Sequence, residues 1–412
     1  MGFGMSFPAE FVVEGKVKVL VPKLGAFVKA PSEYAPSKAP VFYNPAMELN
    51  RDIAVLALQA YQKIVNREVG VCEPLSGCGV RGIRFAVEVE GVRNVLINDI
   101  NNEAFRLAKQ NVQLNGLEKR VKVRNEDANL LLSHYAAPRK RFDVIDLDPF
   151  GSPVPYLDST LRALRDGGLL ALTATDMAPL CGVHPKACIR KYGGNPLRTE
   201  YCHELAVRLL LGCVATTAAK HDIGISVVFS HSTDHYIRAY AIIKHAAKAA
   251  DQSLKNMGYI LHCFKCFHRE TVNPSEFFGH SRKCCECGSK LYFAGPLWLG
   301  KLADKGFCER MLGQSAERKF RHEKRIMKIL SLVKCEVDAP ATYFVVDKFC
   351  DVLGLPVPPI KRVLEALKER GYQTFLTHFD PKGVKSNVSA MEFKNILFSL
   401  KEGARDRVQR LL

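Results

Sequence analysis

No stretch of eighteen consecutive apolar residues occurs in the 412-residue sequence. That is the length a helix needs to cross a bilayer, so no membrane span is expected. The amino terminus carries no basic segment followed by an apolar one and small residues, so no secretory leader is expected, and the cytosol is the expected compartment. Internal repeats and low-complexity tracts are also missing. Acidic residues are in short supply, with 42 Asp and Glu against 59 Lys and Arg, a net charge of +17. Such a surplus attracts polyanions, nucleic acid first among them; a merely basic, well-solvated surface is the plainer alternative. Cysteine is not scarce. Fourteen cysteines would signal disulfides in a small secreted chain, but in a long one without a leader they are expected as reduced thiols, some of them metal ligands.

The length favours two or three domains. Between Val69 and Lys244 short β-branched runs alternate with amphipathic helical stretches, the pattern of a parallel sheet wrapped by helices. Strands are predicted over 69–75, 94–99, 121–125, 142–147 and 168–174, and helices over 80–89, 102–115, 154–164 and 196–218. Two further strand-like runs, 225–230 and 236–244, are separated by a link too short for a parallel crossover. They predict an antiparallel pair ending a seven-stranded doubly wound sheet. Residues 1 to about 40 read as an arm with strand character around 16–21, while 295–313 is a connector without a legible role.

The first strand runs into Glu73-Pro74-Leu75-Ser76-Gly77-Cys78-Gly79-Val80-Arg81-Gly82, a G-x-G-x-x-G turn opening a helix. Its glycines permit a tight turn and close approach of a nucleotide-like ligand. Taken alone, the motif is equally compatible with a dinucleotide site or a structural turn. Asp99, 22 residues after Gly77, closes the second strand where a carboxylate can accept both hydroxyls of a ribose. Asp127, after Glu126, closes the third, beside the backbone of Ala128, where an adenine edge could be met. Singly, each acid is as well explained as a helix cap; three strand ends together point to a ligand at the carboxyl edge of the sheet.

The fourth strand leads into Asp146-Leu147-Asp148-Pro149-Phe150-Gly151-Ser152-Pro153. An exocyclic amine on a base is a poor nucleophile because its lone pair is delocalised into the ring. A carboxylate and a carbonyl, each accepting one N–H, draw it towards a tetrahedral, nucleophilic form that can attack a methyl donor. Asp148 offers the carboxylate and Pro149 the carbonyl, held in aim by the fixed φ of proline. Phe150 offers a flat face for a base that has left its helix. The same residues would also make a turn with Phe150 in the core, and the chemistry does not name the base: adenine N6 on DNA or ribosomal RNA suits it too, and so does a non-catalytic RNA-binding protein that has kept the fold.

Cys263-Phe264-Lys265-Cys266 and Cys284-Cys285-Glu286-Cys287-Gly288 give C-x2-C, a gap of 17, and C-x2-C, the spacing of a four-thiolate zinc ribbon. Each turn aims two sulfurs at one point, and Gly288 relieves crowding. Cys285, His268 or His280 could substitute for a ligand. A complete thiolate shell implies a structural metal.

With these motifs stand Val41-Phe42-Tyr43-Asn44-Pro45-Ala46-Met47-Glu48-Leu49-Asn50-Arg51-Asp52, Ser76 to Arg84, Asn195-Pro196-Leu197-Arg198, Gly354-Leu355-Pro356-Val357-Pro358-Pro359 and the run from Thr377 to Gly383. Together they resemble the tRNA (guanine-N2)-dimethyltransferases that act on position 26, over nearly the whole chain. The resemblance implies two methyl transfers from S-adenosylmethionine to the N2 amine of one guanosine. It also implies an α/β fold: a class I, Rossmann-like, seven-stranded methyltransferase domain over 1–245 including the arm. An α+β tRNA-binding domain over 246–412 would follow, holding the zinc ribbon (260–292) and a basic winged-helix-like module (318–412). Arg51 and Arg81 would contact the cofactor, Phe42 would border its pocket, and Glu73, Gly77, Gly79, Asp99, Asp127 and Ala128 match cofactor-contacting positions. Asp148, Pro149 and Phe150 match the catalytic segment. Without the resemblance, an ion pair of either arginine with Glu73 or Asp99 is the preferred reading. A charged helix from Glu317 to Lys328 and a β-rich hairpin exposing Lys382 and Lys385 are expected to grip tRNA phosphates. Removing residues 313–412 should then weaken tRNA binding and spare cofactor affinity. A monomer is the expected state.

Overall fold

A computed structural model of the chain describes residues 6–27 and 35–409; the rest of the expected arm lies outside the described residues. The arm's strand character resolves into a hairpin of β1 (Ala9–Glu14) and β2 (Val17–Pro22). Helix α1 (Glu48–Val65) follows, buried along its whole length from Glu48 to Tyr61. Such a helix shows no alternation of apolar and polar faces, so periodicity does not announce it.

Alternating strands and helices then build the main sheet. They are β3 (Val69–Glu73), α2 (Val80–Glu88), β4 (Val92–Asn98), α3 (Asn102–Leu114), β5 (Val121–Arg124), α4 (Ala128–His134), β6 (Phe142–Leu147), α5 (Leu157–Ala163) and β7 (Leu164–Ala174). Two short helices, α6 (Met177–Leu180) and α7 (Pro185–Tyr192), precede α8 (Cys202–Ala219), β8 (Ile223–Thr233) and β9 (Tyr236–His245). The sheet order is β5-β4-β3-β6-β7-β9-β8. The pairs from β5 to β7 are parallel, and β9 is antiparallel to both neighbours. The seven strands and the terminal antiparallel pair therefore agree with the sequence reading. Chain order reverses between β3 and β6, the switch point outside which ligands bind in open α/β sheets.

After α9 (Ala247–Leu254), strand β10 (Met257–His262) is flanked by β11 (Arg269–Val272) and, past the one-turn α10 (Pro274–Phe277), by β12 (Tyr292–Trp298). The unread connector is the end of β12 and most of α11 (Lys305–Ala316). The charged helix expected over 317–328 is instead α12 (Glu323–Cys335). Then come β13 (Phe344–Val345), α13 (Val346–Leu353), α14 (Ile360–Glu369), β14 (Thr374–Leu376), β15 (Gly383–Ser386) and α15 (Ala390–Gln409). Their three strands are ordered β13-β15-β14, the winged-helix-like pattern, with Phe344, Phe349 and Phe393 packed ring against ring inside.

One expectation for this module is overturned. Lys385 is not exposed: it is 2% accessible, with Nζ 3.0 Å from Glu204 of α8 and 3.3 Å from Glu336. It lies on β15, the middle strand, and faces the methyltransferase sheet. Lys382 is exposed but ion-paired to Asp347 at 2.8 Å. Helix α8 is long and apolar enough to cross a membrane, with mean hydropathy 1.3, yet Leu205 to Ala215 is core; its buried Glu204 and Arg208 interrupt any continuous apolar run.

Candidate active site

Strand β3 delivers Glu73 to the glycine turn. Gly77 and Gly79 have φ of +53° and +79°, a region that a Cβ makes costly. Space enforces glycine as well, since a Cβ on Gly77 would stand 2.9 Å from the carbonyl oxygen of Phe42 and one on Gly79 would stand 2.9 Å from Ile97. Asp99 ties the turn to β4, its Oδ2 accepting from the Gly77 N–H at 2.8 Å and its Oδ1 from Asn101 at 2.9 Å. Ser76 Oγ is buried without a hydrogen-bond partner among the described residues, which leaves a polar group for a ligand to satisfy. At the next strand end Asp127 caps α4 through Leu130 N (3.0 Å), and Ala128 is buried as that helix's first residue. Ile100 and Leu130, which the sequence reading did not single out, are 66% and 54% exposed beside these acids. The signal was available: each is an apolar residue within a few positions of a strand-end acid.

Asp148 lies just past the end of β6, and the first helix turn after the glycines reaches it, because Arg81 Nη2 donates to Asp148 Oδ2. Arg81 is also held by Asn50 at 2.9 Å and lies 3.5 Å from Glu73 and 3.7 Å from Asp146. From β9, Arg238 donates to Asp146 and, at 2.8 Å, to Thr173. Three carboxylates and two guanidiniums thus share one buried volume. Burial pushes the Glu73 carboxyl up to about 8, with Asp146 and Asp148 adding to the rise and Arg81 and the Gly82 N–H opposing it. Asp148 is raised by burial but lowered more by Arg81, Arg238 and Thr173, so its carboxyl sits below the usual value and is ionised at neutral pH. Pro149 is buried, and its carbonyl accepts no hydrogen bond among the described residues. Phe150 is 72% exposed, not core, and Phe42 meets it edge-on with ring centroids 4.5 Å apart at 88°. Phe42 therefore touches the glycine turn with its carbonyl and the Asp-Pro-Phe segment with its ring.

Arg51 is elsewhere. Its Nε and Nη2 donate to Glu14 at 2.5 and 2.7 Å, and Nη2 reaches Asn44 O at 3.1 Å. Neither Glu73 nor Asp99 is its partner. Glu14, on the hairpin, also holds Arg84 at 3.0 Å, and Arg84 reaches Asp52 and Glu88, both at 2.7 Å. Sequence reasoning missed this buried network; the polar run 50–52 inside an apolar helix was its only trace.

The sequence profile of the family described as N2,N2-dimethylguanosine tRNA methyltransferase matches residues 15–398. The chain belongs to this family. Among its relatives, the tRNA (guanine(26)-N(2))-dimethyltransferase of Methanobrevibacter smithii is 42% identical over 94% of this chain and 97% of its own length. The tRNA (guanine(26)-N(2)/guanine(27)-N(2))-dimethyltransferase of Aquifex aeolicus is 37% identical over 95% and 96%. The solved structure of Trm1 from Pyrococcus horikoshii with S-adenosyl-L-methionine superposes with a TM-score of 0.81 at 35% identity, covering 94% of this chain and 99% of that one. In this dimethylguanosine methyltransferase the glycine turn, the unsatisfied Ser76 hydroxyl and the Asp99 carboxylate fit such a cofactor.

The four cysteines read as zinc ligands also converge. Sγ atoms of Cys263, Cys266, Cys284 and Cys287 all lie within 4.8 Å of one another, with cross pairs at 3.5 Å (Cys263 to Cys287) and 3.4 Å (Cys266 to Cys284). Zinc–sulfur bonds of about 2.3 Å in a tetrahedron need sulfurs about 3.8 Å apart, so the cluster fits zinc. The two turns match: Phe267 N–H returns to Cys263 O and Gly288 N–H to Cys284 O, both at 2.8 Å. Phe267 and Gly288 share a left-handed φ of +63° and +69°. Glycine signals that conformation in sequence and phenylalanine hides it.

Proposed function

We propose that the protein transfers methyl groups from S-adenosylmethionine to the exocyclic N2 amine of guanosine 26 in tRNA, giving N2-methyl- and then N2,N2-dimethylguanosine. The family and its relatives support the reaction and the position. The observation that carries the mechanism is the meeting of the glycine-turn helix with the Asp-Pro-Phe segment through Arg81 and Asp148.

S-adenosylmethionine supplies an electrophilic methyl group on sulfur. The residues proposed to hold it are Glu73, Gly77 and Gly79 at the turn, Asp99 on the ribose, Asp127 and Ala128 at the adenine edge, and Phe42 at the border. Arg81 and Arg51, the latter with Nη1 in no hydrogen bond among the described residues, would add positive charge opposite the donor's carboxylate. The guanine stacks on exposed Phe150. Asp148, kept anionic by two arginines, accepts one N2–H through the oxygen that Arg81 does not occupy. The Pro149 carbonyl accepts the other in the first transfer; the N2-methylamine of the second has one N–H, which goes to Asp148. The nitrogen lone pair is thereby released from the ring and, with the donor bound, would take its methyl group as the carbon–sulfur bond breaks and leaves a neutral thioether. Asp148 then takes the proton from the alkylated nitrogen.

We further propose that zinc at the four cysteines is structural, that the protein works as a monomer, and that it resides in the cytosol, a reading supported by fourteen free thiols. A domain division near residue 245 is supported by the end of β9 there. Incubating unmodified tRNA with isotopically labelled donor, followed by nucleoside mass spectrometry and position mapping, tests the reading. Label in N2-methylated guanosine at position 26 is expected; label in N6-methyladenosine, or none, would reject it.

A further inference from the structure

Helix α7 is fastened to the catalytic segment. Gly151 N donates to Thr175 Oγ1 at 2.8 Å and accepts Thr175 N at its own carbonyl at 2.9 Å. One residue on, Asp176 accepts from Tyr192 of α7 and from Lys191 at 3.0 Å. Tyr192 is buried against Ser152, two residues beyond Phe150. The helix is thus tied by hydrogen bonds to the loop that carries Asp148 and Phe150.

Its outward side has a single charge sign. Residues 183–198 contain Lys186, Arg190, Lys191 and Arg198 and no acid. Lys191 is committed to Asp176, but Lys186, Arg190 and Arg198 are exposed and make no ion pair among the described residues. Val183 and Ile189 stand exposed between them at 48% and 47%. A surface of cations without ion pairs among the described residues, on a helix tied to the loop that bears the exposed Phe150 ring, is complementary to a polynucleotide backbone, where phosphates meet cations and sugars meet apolar side chains. The lysines of the wing do not compete for this role, since Lys385 is buried and Lys382 is paired.

We infer that α7 is an RNA-docking surface: Lys186 and Arg190, with Arg198 beside them, bind tRNA phosphates flanking the target guanosine and so hold the extruded base against Phe150. This rests on the function proposed above. Because the contacts bind backbone, they act on tRNA affinity and on its salt dependence rather than on chemistry.

The test is steady-state methylation and filter binding of unmodified tRNA by the full chain carrying Lys186→Glu and Arg190→Glu, across a salt series. The tRNA KM and Kd are expected to rise roughly tenfold, and the slope of log Kd against log salt to fall by about two, one per lost phosphate contact. Saturating kcat should stay within about twofold. A control carrying Lys248→Glu and Lys255→Glu, with the same net charge on and just past α9, which packs on the edge strand β8, should change neither. Should the reversal prevent folding, seen as lost S-adenosylmethionine uptake, Lys186→Gln with Arg190→Gln reads the same contacts. Shifts no larger than the control's would overturn the surface. A wild-type enzyme that binds tRNA but moves no methyl onto it would instead sink the function.

Discussion

In the mechanism proposed above Asp148 acts only as an anion, a state that Arg81, Arg238 and Thr173 favour. Replacing it with Asn keeps the shape and removes the charge, so kcat on tRNA should drop at least about a hundredfold, with tRNA binding retained; a variant within tenfold of wild type would exclude the role. Phe150→Ala should weaken tRNA binding by about 1–3 kcal/mol, read as Kd. Glu73 gives a pH signature. Its carboxyl is lifted to about 8 in the folded protein from near 4.5, so the native state binds its proton more tightly than the unfolded chain. The stabilisation is complete below the unfolded value and is lost as pH rises through the folded one. Urea midpoints of Glu73→Gln relative to wild type should therefore improve from pH 5 to pH 8; a difference that stays flat would show Glu73 ionised throughout. The roles proposed for Asp148 and Phe150 come from a four-residue motif, and the structure adds that Phe150 is exposed. The Arg81 partner was not legible in it, because the two residues are 67 positions apart and only the parallel register of β3 and β6 joins them.

Turns with obligatory geometry were the most legible elements. Gly77 meets both demands for glycine, a positive φ and a carbonyl where its Cβ would go. Gly77→Ala should cost about 1–2 kcal/mol from backbone strain alone and should abolish tight S-adenosylmethionine binding by displacing Phe42, measurable by calorimetry. The cysteine turns were equally plain from spacing. Cys266→Ser should lower the melting temperature and release the zinc, counted by metal analysis, while S-adenosylmethionine uptake persists; unchanged metal content would reassign the ligand. Helix α1 was illegible for the opposite reason, since burial on every side erases the period that marks a surface helix.

At the scale of the molecule, the two halves share their interiors. Phe307, Met311, Ile326, Leu330 and Val333 of α11 and α12 belong to one apolar cluster with Ile53 of α1 and Val71 of β3. Removing residues 313–412 would take Ile326, Leu330 and Val333 out of that core, so the truncation suggested by the sequence cannot separate tRNA binding from folding. The junction carries charge too: Lys385 lies between Glu204 and Glu336, while Glu336 holds Thr377 at 2.7 Å and His378. Lys385→Met should therefore cost about 3 kcal/mol, because it removes the cation shared by two buried carboxylates and leaves only Arg208 as ion-pair partner of one and His378 of the other. Lys382→Met, at an exposed pair, should leave the urea midpoint unchanged. Equal effects would mean that the junction is not sealed.

The sequence by itself determined the seven-strand succession, the glycine turn, the Asp-Pro-Phe segment and the thiol cluster, because each is local: a period, a φ requirement or a ligand spacing within one stretch of chain. Only the tertiary structure decided that Arg81 holds Asp148, that Glu14 claims Arg51 and that Lys385 is interior. Charges choose partners through space, and a basic residue on a strand reads the same whether its strand is at the edge or in the middle.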